Sequence, residues 1–458
     1  MTVVDRTRLP EVGDDPAFRF PDVRRHRLAN GLDVRTIEHG TLPVVTFVLL
    51  VRDGMGSDPA GREGLGALTA DLLDEGTGDW SAIEVSDALA RIGADYDVDV
   101  YDDATVQTLT TLSRFAGRGA GLLASFTMRP ALRPPDIDRV RTQRLNRLKQ
   151  LKDSPAARGE QAFLRVVYGS HPYGHLSIGH TAALQAVTSE DIAAFHRSAF
   201  RPVRATLVVA GDGGHDAMLQ LAEDAFADWA GQGARALGDD PAGVAPPSAP
   251  STRLGLVHRE QAAQSILAIG QLAPSRSTPD YAPLVVLNAA LGGQFVSRIN
   301  LKLREEKGYT YGARTGFDWR KGHGTFSLEA SVETRVTGEA ITDALGELAA
   351  IRGERPVTAA ELDLAKASLT RGYSRNFETA GQVARSVAQL ALYDLPDAYF
   401  EEFVPKVRAV TGDDVTRVAR QHLDPAKLTT VVVGDRAAIG ATLGGLGMGA
   451  PTELGTED

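Results

Sequence analysis

The sequence predicts an α+β fold made of two tandem homologous domains, each an antiparallel-rich sheet covered by helices. Three observations predict it. The first is internal repetition, which decides architecture before any single element does. The stretch "VTSEDIAAFHRSAFRPVRATLVVAGD" (187–212) aligns without a gap on "VTGDDVTRVARQHLDPAKLTTVVVGD" (410–435) at an offset of 223, with ten of 26 positions identical. The second is that each half mixes strand-like runs with long helical stretches and lacks strict βαβ alternation. The third is the joint between the copies, "GDDPAGVAPPSAPSTRLG" (238–255), whose Pro, Gly, Ala and Ser content carries no hydrophobic period. A chain of 458 residues accommodates two such domains of about 200 residues.

Taken in order, the first half offers the strands "LDVRTIEH", "PVVTFVLLVRDG" and "DATVQTLTTLS", which alternate or run apolar. Its segments "EVSDALARIG", "IDRVRTQRLNRLKQLKD" and "PAARGEQAFLRVVYG" have helical spacing. "GLGALTADLLDEGTG" (64–78) reads as an amphipathic helix running into a glycine stop. Leu65, Leu68, Leu72 and Leu73 share its buried face, and Ala67, Ala70 and Asp71 share the opposite flank. In the second half "AQSILAIGQL", "YTYGARTGFDW" and "GTFSLEASVE" are strand-like, while "YAPLVVLNAALG", "GEAITDALGELAAIRG" and "TAAELDLAKASLTRGYSRNF" are helical. Each copy of the repeat unit has a Thr N-cap, acidic residues in the first turn, an amphipathic helix, a proline turn and a β-rich run ending in Gly-Asp. The expected organisation is a flexible arm over 1–15, a first domain over 16–236, a linker over 237–254, a second domain over 255–443 and a flexible tail over 444–458.

Composition removes whole classes of function. With 43% hydrophobic and 24% charged residues the chain is globular. A net charge of −10 argues against a sequence-independent grip on nucleic acid and against anionic membranes. The absence of cysteine excludes disulfides, thiolate nucleophiles and Cys-ligated metal sites. The start, "MTVVDRTRLPEVGDDPAF", has no apolar stretch of signal-peptide length, and "PVVTFVLLV" (43–51) is too short to span a bilayer, so a cytoplasmic location is expected. No G-x-S-x-G elbow, S-x-x-K or P-loop occurs. "YGSHPYGHLSIGH" (168–180) gathers His171, His175 and His180, but Pro172, Gly174 and Gly179 make it a loop, and loop histidines without a metal are the expectation.

The stretch "HRLANGLDVRTIEHGTLPVVTFVLLVRDGMGSDPAGREGLGALTADLLDEGTG" (26–78) resembles the N-terminal pattern of the M16 (pitrilysin, or insulinase) zinc peptidases, in the short bacterial M16B branch. That pattern is an Asn-Gly hairpin, a strand, a Gly-Ser-x-x-x-Pro loop and a helix carrying H-x-x-E-H, with a glutamate some 76 residues later as third zinc ligand. The resemblance implies the fold of the LuxS/mitochondrial-processing-peptidase type of metallohydrolase. Laid on this chain, the zinc histidines fall on Ala67 and Asp71, the catalytic glutamate on Ala70 and the third ligand on Arg147. A methyl group neither binds zinc nor takes a proton from water, and a guanidinium repels the metal. One carboxylate does not make a three-ligand site. The expectation is therefore no metal and no cofactor on this chain.

A second anchor, "LNAALGGQFVSRINLKLREEKGYTYGARTGF" (287–317), matches the family where an arginine and a tyrosine stand seven residues apart, here Arg304 and Tyr311. The spacing places Arg304 near the end of a helix, a turn at Lys307-Gly308 and Tyr311 at the start of a strand. The resemblance implies that the arginine grips substrate carbonyls and the phenol donates to an oxyanion. The plainer alternative is that Arg304 caps its helix and Tyr311 packs on the sheet. Tyr309, two residues earlier and so expected on the same sheet face, competes with Tyr311. In two-subunit members of the family one chain holds zinc and its partner holds the Arg/Tyr pair. This sequence resembles the partner, over about Phe18 to Asp435. It implies a heterodimer with an H-x-x-E-H-bearing subunit around an extended peptide substrate. Two other readings remain: a peptide-binding or structural module, homodimeric in form, and an independent enzyme with a metal on His171, His175 and His180.

Overall fold

The computed structural model describes residues 13, 18–40, 42–230, 243–245, 250 and 252–455. Much of the expected linker, and the arm over 1–15 except Gly13, lie outside the described residues. The strands are β1 (Arg24–Arg27), β2 (Asp33–Glu38), β3 (Val44–Val51), β4 (Gly76–Thr77), β5 (Trp80–Ser81), β6 (Asp95–Val100), β7 (Thr105–Leu112) and β8 (Ala205–Gly211) in the first half. The second half holds β9 (Leu254–His258), β10 (Gln264–Ala273), β11 (Thr310–Asp318), β12 (Gly324–Glu333), β13 (Thr429–Gly434) and β14 (Thr452–Glu453). Helices of the first half are α1 (Leu65–Ala70), α2 (Ala82–Arg91), α3 (Ala116–Met128), α4 (Pro134–Lys152), α5 (Pro155–Tyr168), α6 (Thr181–Ala186), α7 (Ser189–Ala199) and α8 (His215–Phe226). Those of the second half are α9 (Tyr281–Leu291), α10 (Arg298–Asn300), α11 (Thr337–Ala350), α12 (Ala359–Thr370), α13 (Ala380–Leu392), α14 (Tyr399–Ala409), α15 (Gly412–His422) and α16 (Arg436–Gly444).

The repeat read from the sequence is a repeat of sheets. The first sheet runs β1-β2-β8-β3-β7-β6, and the second, read from its far edge, runs β14-β9-β13-β10-β12-β11. Both are antiparallel except that β8 pairs parallel to β2, and β13 and β14 pair parallel to β9. The matched helices start identically: Thr188 and Thr411 accept from the backbone N–H of Asp191 and Asp414, whose carboxylates accept in return. One position breaks the symmetry. The outer strand β1 precedes β2, whereas its counterpart β14 comes from the C-terminal end and pairs parallel to β9. The tail expected to be flexible is therefore docked as far as Gly455. A Cβ on Gly255 would meet Leu454 at 2.4 Å, so a bare glycine in β9 gives that leucine its seat.

The two halves also exchange a helix. The apolar face of α5, with Phe163, Val167 and Tyr168, packs on Val257, Ala268, Val431 and Val433 of the second sheet. Reciprocally α13, with Val383, Val387 and Ala391, packs on Val48, Leu50, Val208 and Ala210 of the first. Gly270 makes the first contact possible, because a Cβ there would lie 2.7 Å from the Phe163 ring. Fully burying each large apolar side chain contributes about 1.5–3 kcal/mol, so each sheet depends on a helix from the other half. A buried polar junction reinforces the exchange. Arg320, 2% exposed, reaches Asp102 Oδ1 at 3.0 Å and Asp318 Oδ2 at 2.8 Å, and donates to the Tyr173 carbonyl at 3.2 Å. Its guanidinium lies over the rings of Tyr168 and Tyr173 at 4.7 and 4.8 Å. Tyr173 donates its hydroxyl hydrogen to Asp103, whose other oxygen accepts from Lys321 N at 2.7 Å.

Candidate functional site

The segment at 64–78 departs from an amphipathic helix. Only Leu65–Ala70 is helical, and all six residues are buried. The chain then passes through turns before the β4–β5 hairpin. Ala67 and Ala70 are buried as well as Leu68 and Leu72, so the flank opposite the leucines is covered rather than open. A buried carboxylate organises the entry: Asp58 accepts from Gly64 N and Gly66 N, both at 2.7 Å, satisfying first-turn donors of α1. Burial pushes the Asp58 carboxyl up to about 7 despite those two bonds.

At the positions where zinc ligands would stand, the side chains do not fit a zinc ion. Ala67 and Ala70 offer methyl groups. The Asp71 carboxylate is taken by Arg144 of α4, which also donates to the Ser177 carbonyl at 2.8 Å. Arg147, one turn further along α4, points outward and is exposed. An arginine–aspartate pair therefore bridges the two helices that would have shared a metal. The histidine loop offers no substitute. His171 accepts from Tyr173 N at 3.2 Å, His175 contacts the Leu176 carbonyl at 3.1 Å, and the His175 and His180 rings are 6.4 Å apart. Among the described residues no group of three or more His, Cys, Asp or Glu is placed to hold a metal ion.

The second anchor is built differently from a plain helix-turn-strand. After α10 the chain widens into a π-helical turn, Leu301–Glu306, and Gly308 takes the left-handed conformation (φ 66°) that the reversal requires. Arg304 stacks its guanidinium on Phe295 at 4.1 Å, with Nη1 2.9 Å from the Glu305 carboxylate, and among the described residues it donates no hydrogen bond. Asn300, 6% exposed, fastens the surroundings: its Oδ1 accepts from Ala313 N at 2.8 Å and its amide donates to the Gln294 carbonyl at 3.3 Å. Tyr309 and Tyr311 do not share a face, contrary to the expectation from strand alternation. A register shift between Thr310 and Ala313 breaks the period of β11. Tyr309 consequently lies half-buried against the second core, while Tyr311 stands 93% exposed. The packing role considered for Tyr311 does not match this position.

Residues 186–369 match the family described as Peptidase M16 inactive domain. An uncharacterized zinc protease of Mycobacterium tuberculosis is 26% identical over 428 residues, spanning 92% of this chain and 94% of that protein. By these matches the chain is similar to M16 peptidases. A zinc protease of Helicobacter pylori is 23% identical over 413 residues, 88% of this chain and 91% of its own length. Among solved structures, an M16 inactive domain from Pseudomonas fluorescens superposes with a TM-score of 0.84 at 24% identity, covering 90% of this chain and 98% of that one. A protease from Helicobacter pylori gives 0.83 at 20% identity, over 91% and 100%. These last two likenesses are of fold. No described helix of this chain is long and apolar enough to cross a membrane.

A cavity of about 690 Å³ opens beside the Arg304 turn, between α5 and the second sheet. Phe295 forms part of its wall, so the ring that supports Arg304 also faces this groove. Glu160 of α5 and Glu329 of β12 line it from opposite sides, the latter accepting from Arg314 at 2.6 and 3.1 Å. Sequence reasoning found Arg304 and Tyr311 but not Phe295, Asn300 or Glu160. The first two lay inside the quoted anchor, where their role depends on a π turn and a bulge that periodicity does not announce. Glu160 comes from the other half by helix exchange.

Proposed function

We propose that this chain is the non-catalytic subunit of a heterodimeric M16 zinc endopeptidase, contributing Arg304 and Tyr311 to peptide binding and transition-state stabilisation while a cytoplasmic partner supplies the zinc, two histidines and glutamate. The observation that carries the reading is a contrast. Where the metal centre would be, the side chains are buried methyls and a closed ion pair. Where the Arg/Tyr pair stands, the phenol is exposed and the guanidinium, stacked on Phe295 and paired with Glu305, lies half-buried. An exposed phenol and a half-buried guanidinium beside an open groove suit a substrate backbone held from outside the chain. The guanidinium would grip peptide carbonyls and the O–H would donate to the oxyanion. Zinc on the partner would supply the activated water.

Reconstitution tests this. The lone chain is expected to show no zinc-dependent cleavage of an unfolded peptide mixture. Co-expression with an H-x-x-E-H chain of similar length encoded beside it is expected to yield a one-to-one complex that cleaves. Zinc-dependent cleavage by the lone chain overturns the proposal. So does a stable homodimer that holds peptide and ignores the zinc-bearing chain, which is the outcome of a peptide-binding module.

A further inference from the structure

In the first half, the β4–β5 hairpin, the C-terminal turn of α2 and one face of α3 line a cleft of about 600 Å³, a size typical of small-molecule sites. Arg91, Arg118 and Arg129 line it together with Trp80 and a floor that includes Ile92 and Leu122; Asp79 is the one acidic residue among its lining side chains. In a chain of net charge −10 this is a locally cationic recess. Trp80 is 45% exposed, and its strand is held by Arg133, which donates to the carbonyls of Trp80 at 2.9 Å and Gly78 at 3.1 Å.

Helix electrostatics explains part of this charge and not the rest. Arg91 and Arg129 sit at the C-terminal ends of α2 and α3, where a cation complements the exposed carbonyls. Arg118 sits in the first turn of α3, the end that disfavours a cation. Its only described contact is with the Phe115 ring, 5.9 Å away. Among the described residues no carboxylate pairs with Arg118 or Arg129, and Arg91 has only Asp87 at 4.0 Å. The guanidinium groups are thus available, and an indole stands beside them.

We propose that this cleft binds a small anion bearing a flat ring, with the ring stacked on Trp80 and its phosphate or carboxylate held by Arg118 and Arg129. Indole faces stack on planar rings, and guanidinium forks match both anions. The recess is small and the chain as a whole carries a net charge of −10, which favours a compact ligand over a nucleic acid strand. Isothermal titration of the full chain with adenosine 5′-monophosphate, N-acetyltryptophan and inorganic phosphate tests it. At least one ring-bearing anion is expected to bind below 1 mM, at least about tenfold tighter than phosphate, and to weaken with added salt. The tighter of the two identifies the phosphate-borne or the carboxylate-borne source. Arg118→Ala/Arg129→Ala and Trp80→Ala are each expected to weaken binding tenfold or more, while Trp80→Phe retains it. Absence of binding by both ring anions overturns the proposal, as does binding that these substitutions leave unchanged in folded protein.

Discussion

Single residues decide what this frame can do. Asp71 and Arg144 occupy the two helices that would share a metal, and their pairing ties α1 to α4 in its place. The Arg144 side chain is nearly buried and also serves the Ser177 carbonyl, so truncating it strands a carboxylate and a carbonyl together. Arg144→Ala is expected to cost about 1–3 kcal/mol, read as a lowered urea midpoint with unchanged slope. An unchanged midpoint would show that the pair does not hold the helices. The identities of Ala67, Ala70 and Arg147 were fully legible, because their chemistry excludes zinc wherever they point. The Asp71–Arg144 pair was not legible: the sequence aligned Arg147 with the missing ligand, and only the rotation of α4 shows that Arg144 is the residue facing Asp71.

At the scale of elements, α1 shows how a short helix is kept without strong propensity. It has six residues, no side-chain cap at its own N-terminus and a left-handed glycine at entry. Asp58 replaces the cap from outside, at the cost of a buried carboxylate pushed up to about 7. A folded-state value raised above the ordinary 3.8 means that folding favours the protonated acid. That contribution is fully present below about pH 3.8 and is lost as pH rises through about 7. Wild type is therefore expected to lose stability relative to Asp58→Asn between about pH 4 and 7, with a slope of up to about 1.4 kcal/mol per pH unit. Urea midpoints of the two proteins across that range check it, and parallel curves would contradict it. Elements with a clear period and marked ends were readable, as the capping boxes of α7 and α15 show. The π turn at Leu301–Glu306 and the bulge in β11 were not, since each arises from tertiary ties such as Asn300 to Ala313.

For the whole molecule, the duplication was legible as an offset of 223, and the matched sheets follow it at every strand but the outer β1 and β14. The exchange of α5 and α13 was not, because a helix with one apolar face does not say which sheet will cover it. Exchange makes the halves interdependent, and Arg320 is where that dependence is most exposed to test. Replacing it with leucine leaves the mostly buried Asp102 without its guanidinium partner, an expected loss of about 3 kcal/mol. Far-ultraviolet dichroism and tryptophan fluorescence should follow one coincident urea transition, lowered in Arg320→Leu; two separated transitions in wild type would contradict mutual support. The larger consequence of this architecture is that the chain carries in one half a helix pair whose side chains do not fit zinc, and in the other the exposed Tyr311 close in sequence to Arg304. Peptide turnover by the assembled pair, with Tyr311→Phe set against wild type, tests that division most directly. The account predicts a fall in turnover of about 10²–10³-fold, with the sedimentation of the complex and the thermal midpoint of the isolated chain unchanged. Turnover equal to wild type in an intact complex would contradict it.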